Sequence, residues 1–289
     1  MTGSTNWTNP SNLFNDYNNL IFVQDQALAK AYTMEFEEMW SGSFGSNKID
    51  NTPHNFNVNG VHMELYFSPT DQTTSKILEV INSVDYTFEF ALLEFTRDDL
   101  GDAIIDVHNS FGTNVRGIME STNSQYAEFD KMVDAGVNVK SHSGIPNTIH
   151  HKYAIADADI IASDPILLTG SHNWSNNAEN NSDENTLIIH DHTTANLYLQ
   201  EFTKRFNELS STSVLNNLID VEINVFPNPS LGEINIKTDL EIYKINIYLQ
   251  DGKLFKTLSS KKFELDRNAV YYLKIFTASG VALKTVIVQ

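Results

Sequence analysis

Four polar side chains fall at alternate positions of two short, otherwise apolar stretches. In TIHHKYAIAD, residues 148–157, His150 and Lys152 are two apart, and in TGSHNWS, residues 169–175, so are Ser171 and Asn173. If both stretches are strands, residues two apart share a face, so each pair projects together from a setting made apolar by Tyr153, Ile155, Ile166, Leu167 and Leu168. An imidazole can attack phosphorus and form a covalent phosphohistidine, while a lysine and an amide hold the non-bridging oxygens whose charge must be stabilised in the transition state. The pattern suits phosphoryl transfer. Taken singly, His-x-Lys would be a half-exposed strand edge and Ser-x-Asn a turn; their occurrence together and in order carries the chemistry.

His150, Lys152 and Asp157 spell H-x-K-x4-D, and Gly170, Ser171 and Asn173 spell G-S-x-N. In this order they resemble the signature of the phospholipase D superfamily, and Glu184 with Asn185 resembles the acidic-Asn pair that closes its motif. One departure is the segment 158–169, longer than in the compact members; Asp164-Pro165 favours a turn there, so a hairpin loop is expected. The resemblance implies that His150 is the nucleophile or its acid-base partner, that Lys152 and Asn173 bind phosphate oxygens, and that Ser171 supports them. Glu184 would orient an imidazole, that of an opposite lobe included. Asp157 is counted with the site, although its strand parity is opposite to that of His150 and points to a role in the framework. No metal or other cofactor is implied. The implied activity is hydrolysis of phospholipid head-group diesters through a phosphohistidine; the alternatives are a secreted nuclease of the same superfamily and an inactive, truncated phosphate-binding fragment.

The elements that must position these residues alternate from Gly60 onward. Strands are expected at 61–67, 86–95, 115–119 and 137–141, and helices at 75–84, 98–109 and 125–135, before the two motif strands, a strand at 185–189 and a last helix at 194–209. This alternation predicts an α/β lobe, a mixed sheet flanked by helices, over residues 59–209. Residues 41–58, rich in Gly, Ser and Asn, are expected to be a linker.

Ahead of that linker the chain repeats itself. TGSTNWTN at 2–9 echoes TGSHNWSN at 169–176, and Asn18 follows Gly3 at the interval by which Asn185 follows Gly170, which places Tyr17 at the position of Glu184. Asn19-Leu20-Ile21-Phe22 parallels Thr186-Leu187-Ile188-Ile189, and after a one-residue slip Tyr32, Glu35 and Phe36 parallel Tyr198, Glu201 and Phe202. Residues 1–40 thus read as the closing part of a first lobe. The site would be completed either by a missing first lobe upstream of Met1 or by a partner subunit, as in a homodimer.

Composition sets outer bounds. With no cysteine, neither disulfides, a Cys-ligated zinc nor a cysteine nucleophile is available, and no apolar run is long enough to span a bilayer. Residues 217–289 hold 9 Lys+Arg and 8 Asp+Glu, so the first 216 hold the other 10 and 29, a net −19 that opposes non-specific nucleic-acid binding. Nucleic acid is the less favoured substrate on that ground. His142, His151, His172, His190 and His192 show no familiar ligand spacing, and no metal site is expected from them. Glu35, Glu37 and Glu38 read as a solvated helix face, and Trp7 and Trp174 as core or rim aromatics.

After a Ser/Thr-rich linker at 210–220 the chain turns to short β-rich runs separated by Pro227-Asn228-Pro229, Asp251-Gly252 and Ser279-Gly280, a rhythm that predicts a small β-sandwich over 221–289. NVFPNPSLGEINI, YLQDGKLFKTL and YYLKIFTASGVALKTVIVQ resemble the C-terminal sorting domain of proteins exported by the type IX secretion system. That resemblance implies the secretion machinery as a partner and a secreted or cell-surface location. Residues 1–7 lack the basic start and apolar run of a signal peptide, so a fuller chain with a signal peptide and first lobe is expected, with the tail from about Val221 removed at the surface.

Overall fold

The computed structural model describes residues 1–7, 13, 15–110, 113–215, 223–238, 240–250, 254–266, 268–277 and 280–289. They form two compact units, Met1–Leu209 and Ser210–Gln289. Thr8 and Asn9 of the first repeat copy, 216–220 of the expected linker, Val221, and the turn residues Asp251, Gly252 and Ser279 lie outside the described residues.

The first unit opens with strands β1 (Thr2–Gly3) and β2 (Leu20–Ile21), paired antiparallel, and helix α1 (Gln26–Trp40). Asp25 caps α1 by accepting from the Leu28 amide at 2.8 Å. Then come β3 (Asn55–Val58), β4 (Val61–Phe67), α2 (Thr73–Asn82), β5 (Thr87–Leu92), α3 (Asp98–Asn109), β6 (Asn114–Met119), α4 (Phe129–Asp134) and β7 (Asn138–Ser141). The motif strands β8 (Lys152–Ala156) and β9 (Ile166–Gly170) follow, with the short helix α5 (Asn176–Asn180), β10 (Asn185–His190) and the long helix α6 (His192–Leu215). Eight strands form one mixed sheet in the order β3-β4-β10-β9-β8-β5-β6-β7, parallel only across β5-β6-β7.

Alternation along the central strands builds a three-layer α/β unit. Phe88, Phe90, Ala154, Ala156, Leu168 and Ile188 bury one face under α2 and α3, through Ile77, Ile81, Leu100 and Ile104. Tyr153, Ile155, Leu167, Leu187 and Ile189 bury the other under α1 and α6, through Leu28, Ala31, Phe202 and Phe206. The expected α/β lobe is therefore present, with three differences in detail. Within 41–58, Phe56 and Val58 alternate with exposed Asn55 and Asn57, and the Asn59-Gly60 turn, both residues at positive φ, folds β3 onto β4. Glu35 lies on no solvated face: it is buried against Lys48, whose Nζ donates to its carboxylate at 2.5 Å and to the Ser68 carbonyl at 2.8 Å. Residues 210–215, expected to open a linker, continue α6.

The second unit is a β-sandwich. Strands β11 (Asn224–Phe226), β12 (Glu233–Lys237) and β15 (Lys262–Glu264) make one sheet. Strands β14 (Leu254–Leu258), β13 (Ile242–Tyr248), β16 (Ala269–Thr277) and β17 (Gly280–Val288) make the other, in that order. Both are antiparallel, and Ile234, Ile245, Ile247, Leu273, Ile275 and Val286 fill the space between them.

Asp157 ends β8 in the left-handed region, φ 50°. Its buried carboxylate accepts from the amides of Asp85, Tyr86 and Thr87 at 2.9, 2.8 and 2.7 Å, and from the Ser163 hydroxyl at 2.8 Å. One carboxylate thereby fixes the entry into β5 beside β8. Asn tolerates the same backbone conformation but offers one acceptor oxygen where two serve. Asp157→Asn should lower stability by about 3 kcal/mol with little change in activity while the chain is folded. The urea midpoint followed by tryptophan fluorescence measures this, since all three tryptophans, Trp7, Trp40 and Trp174, lie in the first unit.

Candidate active site

His150 sits just ahead of β8, half-buried, in contact with the N-terminal segment. Tyr17 docks as a parallel bridge onto Ile149, its amide donating to the Thr148 carbonyl at 2.8 Å and its carbonyl accepting from the His150 amide at 2.9 Å. This brings two acceptors to the imidazole: the Ser4 carbonyl at 2.8 Å and the Asn18 Oδ1 at 3.1 Å, both from Nδ1. A neutral imidazole has one N–H, so these acceptors assign it to Nδ1 and leave the lone pair on Nε2. Asn6 Nδ2 faces that lone pair at 3.3 Å, and Lys152 Nζ lies 3.1 Å from Nδ1 and 3.3 Å from Nε2, close to both ring nitrogens.

Lys152 is buried, and its Nζ also donates to the His150 carbonyl at 2.9 Å. Burial pushes its ammonium down to about 8, against the pull of Glu184, Glu94 and Asp16. Burial, then the neighbouring Lys152 charge, also holds the His150 imidazole below its ordinary value, with the Ser4 carbonyl opposing. The His150 shift favours a neutral nucleophile. Burial raises the Glu184 carboxyl, with Ser171, which hydrogen-bonds it, and the charges of His172 and Lys152 acting the other way.

The repeat is visible as a structural equivalence. Gly3 and Gly170 have φ of 148° and 149°, and a Cβ on either would lie 2.1 Å from a carbonyl oxygen, that of Asn19 or Asn185 respectively. Neither position admits a side chain. Ser4 N donates to the Asn19 carbonyl and Ser171 N to the Asn185 carbonyl, both at 3.0 Å, while the Asn19 and Asn185 amides each donate to the serine hydroxyl at 3.1 Å. Asn19 is thus the counterpart of Asn185, and Asn18, bonded to Ser4 Oγ at 3.0 Å, is the counterpart of Glu184. The assignment of Tyr17 to that place is corrected, because the loop after Ser4 is one residue longer than the loop after Ser171.

The two copies also exchange contacts. Asn19 Nδ2 donates to Thr169 Oγ1 at 2.8 Å and to the Tyr198 hydroxyl at 3.0 Å. Reciprocally, Thr2 Oγ1 and the Tyr32 hydroxyl donate to Asn185 Oδ1 at 2.5 and 3.1 Å. Helices α1 and α6 are matched in the same way, yet the stacked pair Phe202–Phe206 of α6 is buried whereas Phe36–Trp40 of α1, stacked at 5.6 Å, is exposed.

Of the expected residues, the structure joins His150 to Lys152 and Ser171 to Glu184. Asn173 is half-buried with its Oδ1 lacking a hydrogen-bond partner, and it makes no hydrogen bond to His150. Asp157 is not brought to the imidazole: five residues beyond Lys152, roughly 17 Å of extended chain, it serves the framework described above. Sequence reading missed Ser4, Asn6 and Asn18 as the groups that contact His150, although the TGSTN repeat carried the signal. His151 turns to the other side of the strand, where Nδ1 lies 3.2 Å from Asn19 Oδ1.

Two stretches of the chain resemble known proteins. Residues 77–206 match the family described as the PLD-like domain of cardiolipin synthase, and residues 224–289 match the secretion system C-terminal sorting domain. The mitochondrial cardiolipin hydrolase of Chlamydomonas reinhardtii is 30% identical over 145 residues, 50% of this chain and 60% of that protein. That of Mus musculus is 31% identical over 148 residues, covering 50% and 62%. The chain thus spans about three fifths of the length of these relatives. Among solved structures, a phospholipase D family member, Nuc from Salmonella typhimurium, aligns with a TM-score of 0.43 at 20% identity, over 50% of this chain and 93% of Nuc. The chain carries a phospholipase D-like domain, with both motifs inside it, followed by a C-terminal secretion sorting domain.

Proposed function

We propose that this protein hydrolyses phosphodiesters of phospholipid head groups, with His150 as nucleophile. The observation that carries the reading is the oriented imidazole: the Ser4 carbonyl and Asn18 Oδ1 accept from Nδ1–H, Asn6 Nδ2 faces Nε2, and Lys152 Nζ lies beside both ring nitrogens. In the first step Nε2 attacks phosphorus, the P–N bond forms, and the P–O bond to the leaving group breaks with its electron pair going to the departing alkoxide. Lys152 and Asn6 stabilise the charge on the non-bridging oxygens. Water then attacks phosphorus, losing a proton to a second imidazole that the first step left neutral, and the P–N bond breaks with its electron pair returning to His150.

Ser171 and Glu184 repeat the Ser4–Asn18 arrangement and would orient a second imidazole, whose proton would go to the alkoxide. An H-x-K segment of a preceding lobe or of a second copy would supply it. Phospholipid is favoured over nucleic acid because the first 216 residues carry a net −19 and because the relatives are named for hydrolysis of the phospholipid cardiolipin. The sorting domain supports secretion or display at the cell surface.

Three outcomes test this reading. Cleavage of cardiolipin or phosphatidylcholine vesicles by the full chain should exceed cleavage of single-stranded DNA, and His150→Asn should reduce it by roughly 10³-fold or more without changing the urea midpoint; undiminished activity in the variant would sink the assignment. Attack needs neutral His150 and phosphate binding needs charged Lys152, so kcat/KM should rise with pH through a limb below 6.5 and fall again as pH passes about 8. Lys152→Arg, which stays protonated, should abolish the alkaline limb, and a limb persisting near 8 would assign it elsewhere. Deleting residues 221–289 should leave the protein inside the cell; unchanged export would reject the sorting role.

A further inference from the structure

Strands β4 and β10 pair antiparallel with His62 directly opposite His190 and Glu64 opposite Ile188. His62 and Glu64 are two apart and share a face, so a directly opposed imidazole and a diagonal carboxylate converge on His190. The two rings lie 4.6 Å apart at an interplanar angle of 30°, and Glu64 Oε1 is 3.0 Å from His190 Nε2. On the other side of the ring, Asp164 Oδ2 is 2.8 Å from Nδ1. Asp164 belongs to the segment 158–169 that lengthens the gap between the two motifs, so the insertion delivers a carboxylate to His190. None of these residues contacts His150.

The arrangement poses a charge problem with two solutions. An ionised carboxylate only accepts, so if His190 is neutral and donates Nδ1–H to Asp164, its Nε2 lone pair faces a carboxylate oxygen across 3.0 Å. That contact is repulsive unless a cation or a proton lies between. Protonation is one remedy, and the hydrogen bond to Glu64, followed by that to Asp164, does raise the His190 imidazole above its ordinary value. Yet the proton uses only the two carboxylates: His62, whose Nε2 lies 3.1 Å from Asn55 Oδ1 on β3, leaves its Nδ1 for the cluster without adding an acceptor that an imidazolium needs.

A cation uses all three groups. One ligand atom each from His62, Glu64 and His190 lie within 4.8 Å of one another, and an ion bound at tetrahedral zinc distances holds its ligand atoms about 3.3 Å apart. The difference is within reach of side-chain rotation, for His62 is exposed and Glu64 and His190 only partly buried. We propose that His62, Glu64 and His190 bind a zinc-class divalent ion, with His190 coordinating through Nε2 while Asp164 holds its Nδ1–H. Two imidazoles and a carboxylate suit zinc, and the outer carboxylate fixes the histidine tautomer as such partners do at other zinc sites. Tyr66, whose hydroxyl donates to Glu64 Oε2 at 2.5 Å, steadies the carboxylate. The ion would clasp β4, β10 and the 158–169 loop, at the end of β10 opposite to Asn185.

The test uses the full chain, stripped with chelator and dialysed, then titrated with zinc alone by calorimetry at pH 7.5. One ion per chain is expected, with proton release visible as a dependence of the heat on buffer ionisation. His62→Ala and His190→Gln should each remove binding at micromolar zinc, and Asp164→Asn should weaken it roughly ten- to hundred-fold. Asp71→Asn, in the separate Asp50, His54 and Asp71 group, should leave it unchanged. Binding that survives either histidine substitution, or that needs millimolar zinc in the native sequence, overturns the site; a His190 ring that only titrates, with no zinc bound, assigns the contact to the proton instead.

Discussion

His150 takes its orientation from a part of the chain far from it in sequence. Its own strand supplies Lys152 beneath it, but the tautomer that leaves Nε2 free depends on the Ser4 carbonyl and the Asn18 amide. Those groups are held in turn by the cross-contacts between the two copies of the repeat, Asn19 with Thr169 and Tyr198, and Asn185 with Thr2 and Tyr32. The two glycines allow the tight approach of each serine to its asparagine backbone. Remove the exchange and the sheet would still be an eight-stranded platform, but one with an unoriented imidazole on it.

Desolvation does the remaining electrostatic work. The chain is acidic, with a net charge of −18, a setting that by itself favours the charged form of a lysine. Burial outweighs the nearby carboxylates and brings Lys152 to about 8. The same burial keeps the adjacent imidazole neutral and raises Glu184. A cation, a neutral base and a carboxyl of raised pKa within one small region are the consequence of one low-dielectric wall.

Much of this was legible because strands encode facing directly. The closeness of His150 and Lys152 could be read from position alone, and the parity of Asp157 set it apart from the imidazole, whereas Ser171 and Asn173 lie beyond the end of β9 at Gly170, where strand parity does not apply. The hidden parts depended on contacts between distant segments. A one-residue difference in loop length moved the counterpart of Glu184 from Tyr17 to Asn18, and no local pattern reveals such a slip. Glu35 looked solvated until Lys48, from the stretch read as a linker, was placed against it. His62, Glu64 and His190 had no ligand spacing because their proximity comes from the register of β4 on β10. Strand β3 was readable in principle from its alternation, but Gly, Ser and Asn around it obscured the signal.

The pairing of β1 has a kinetic consequence. It is two residues long and, among the described residues, its only strand neighbour is β2, so fraying it breaks few hydrogen bonds compared with opening the central sheet. Segments of this kind exchange their amide hydrogens through local openings far cheaper than global unfolding. Each opening would release Nδ1–H and let the imidazole change tautomer or rotate while Trp174 and the core around it stay packed. With His150 as the proposed nucleophile, turnover would track the fraction of time this clasp is shut, and a rise in temperature would lower it well before the sheet melted.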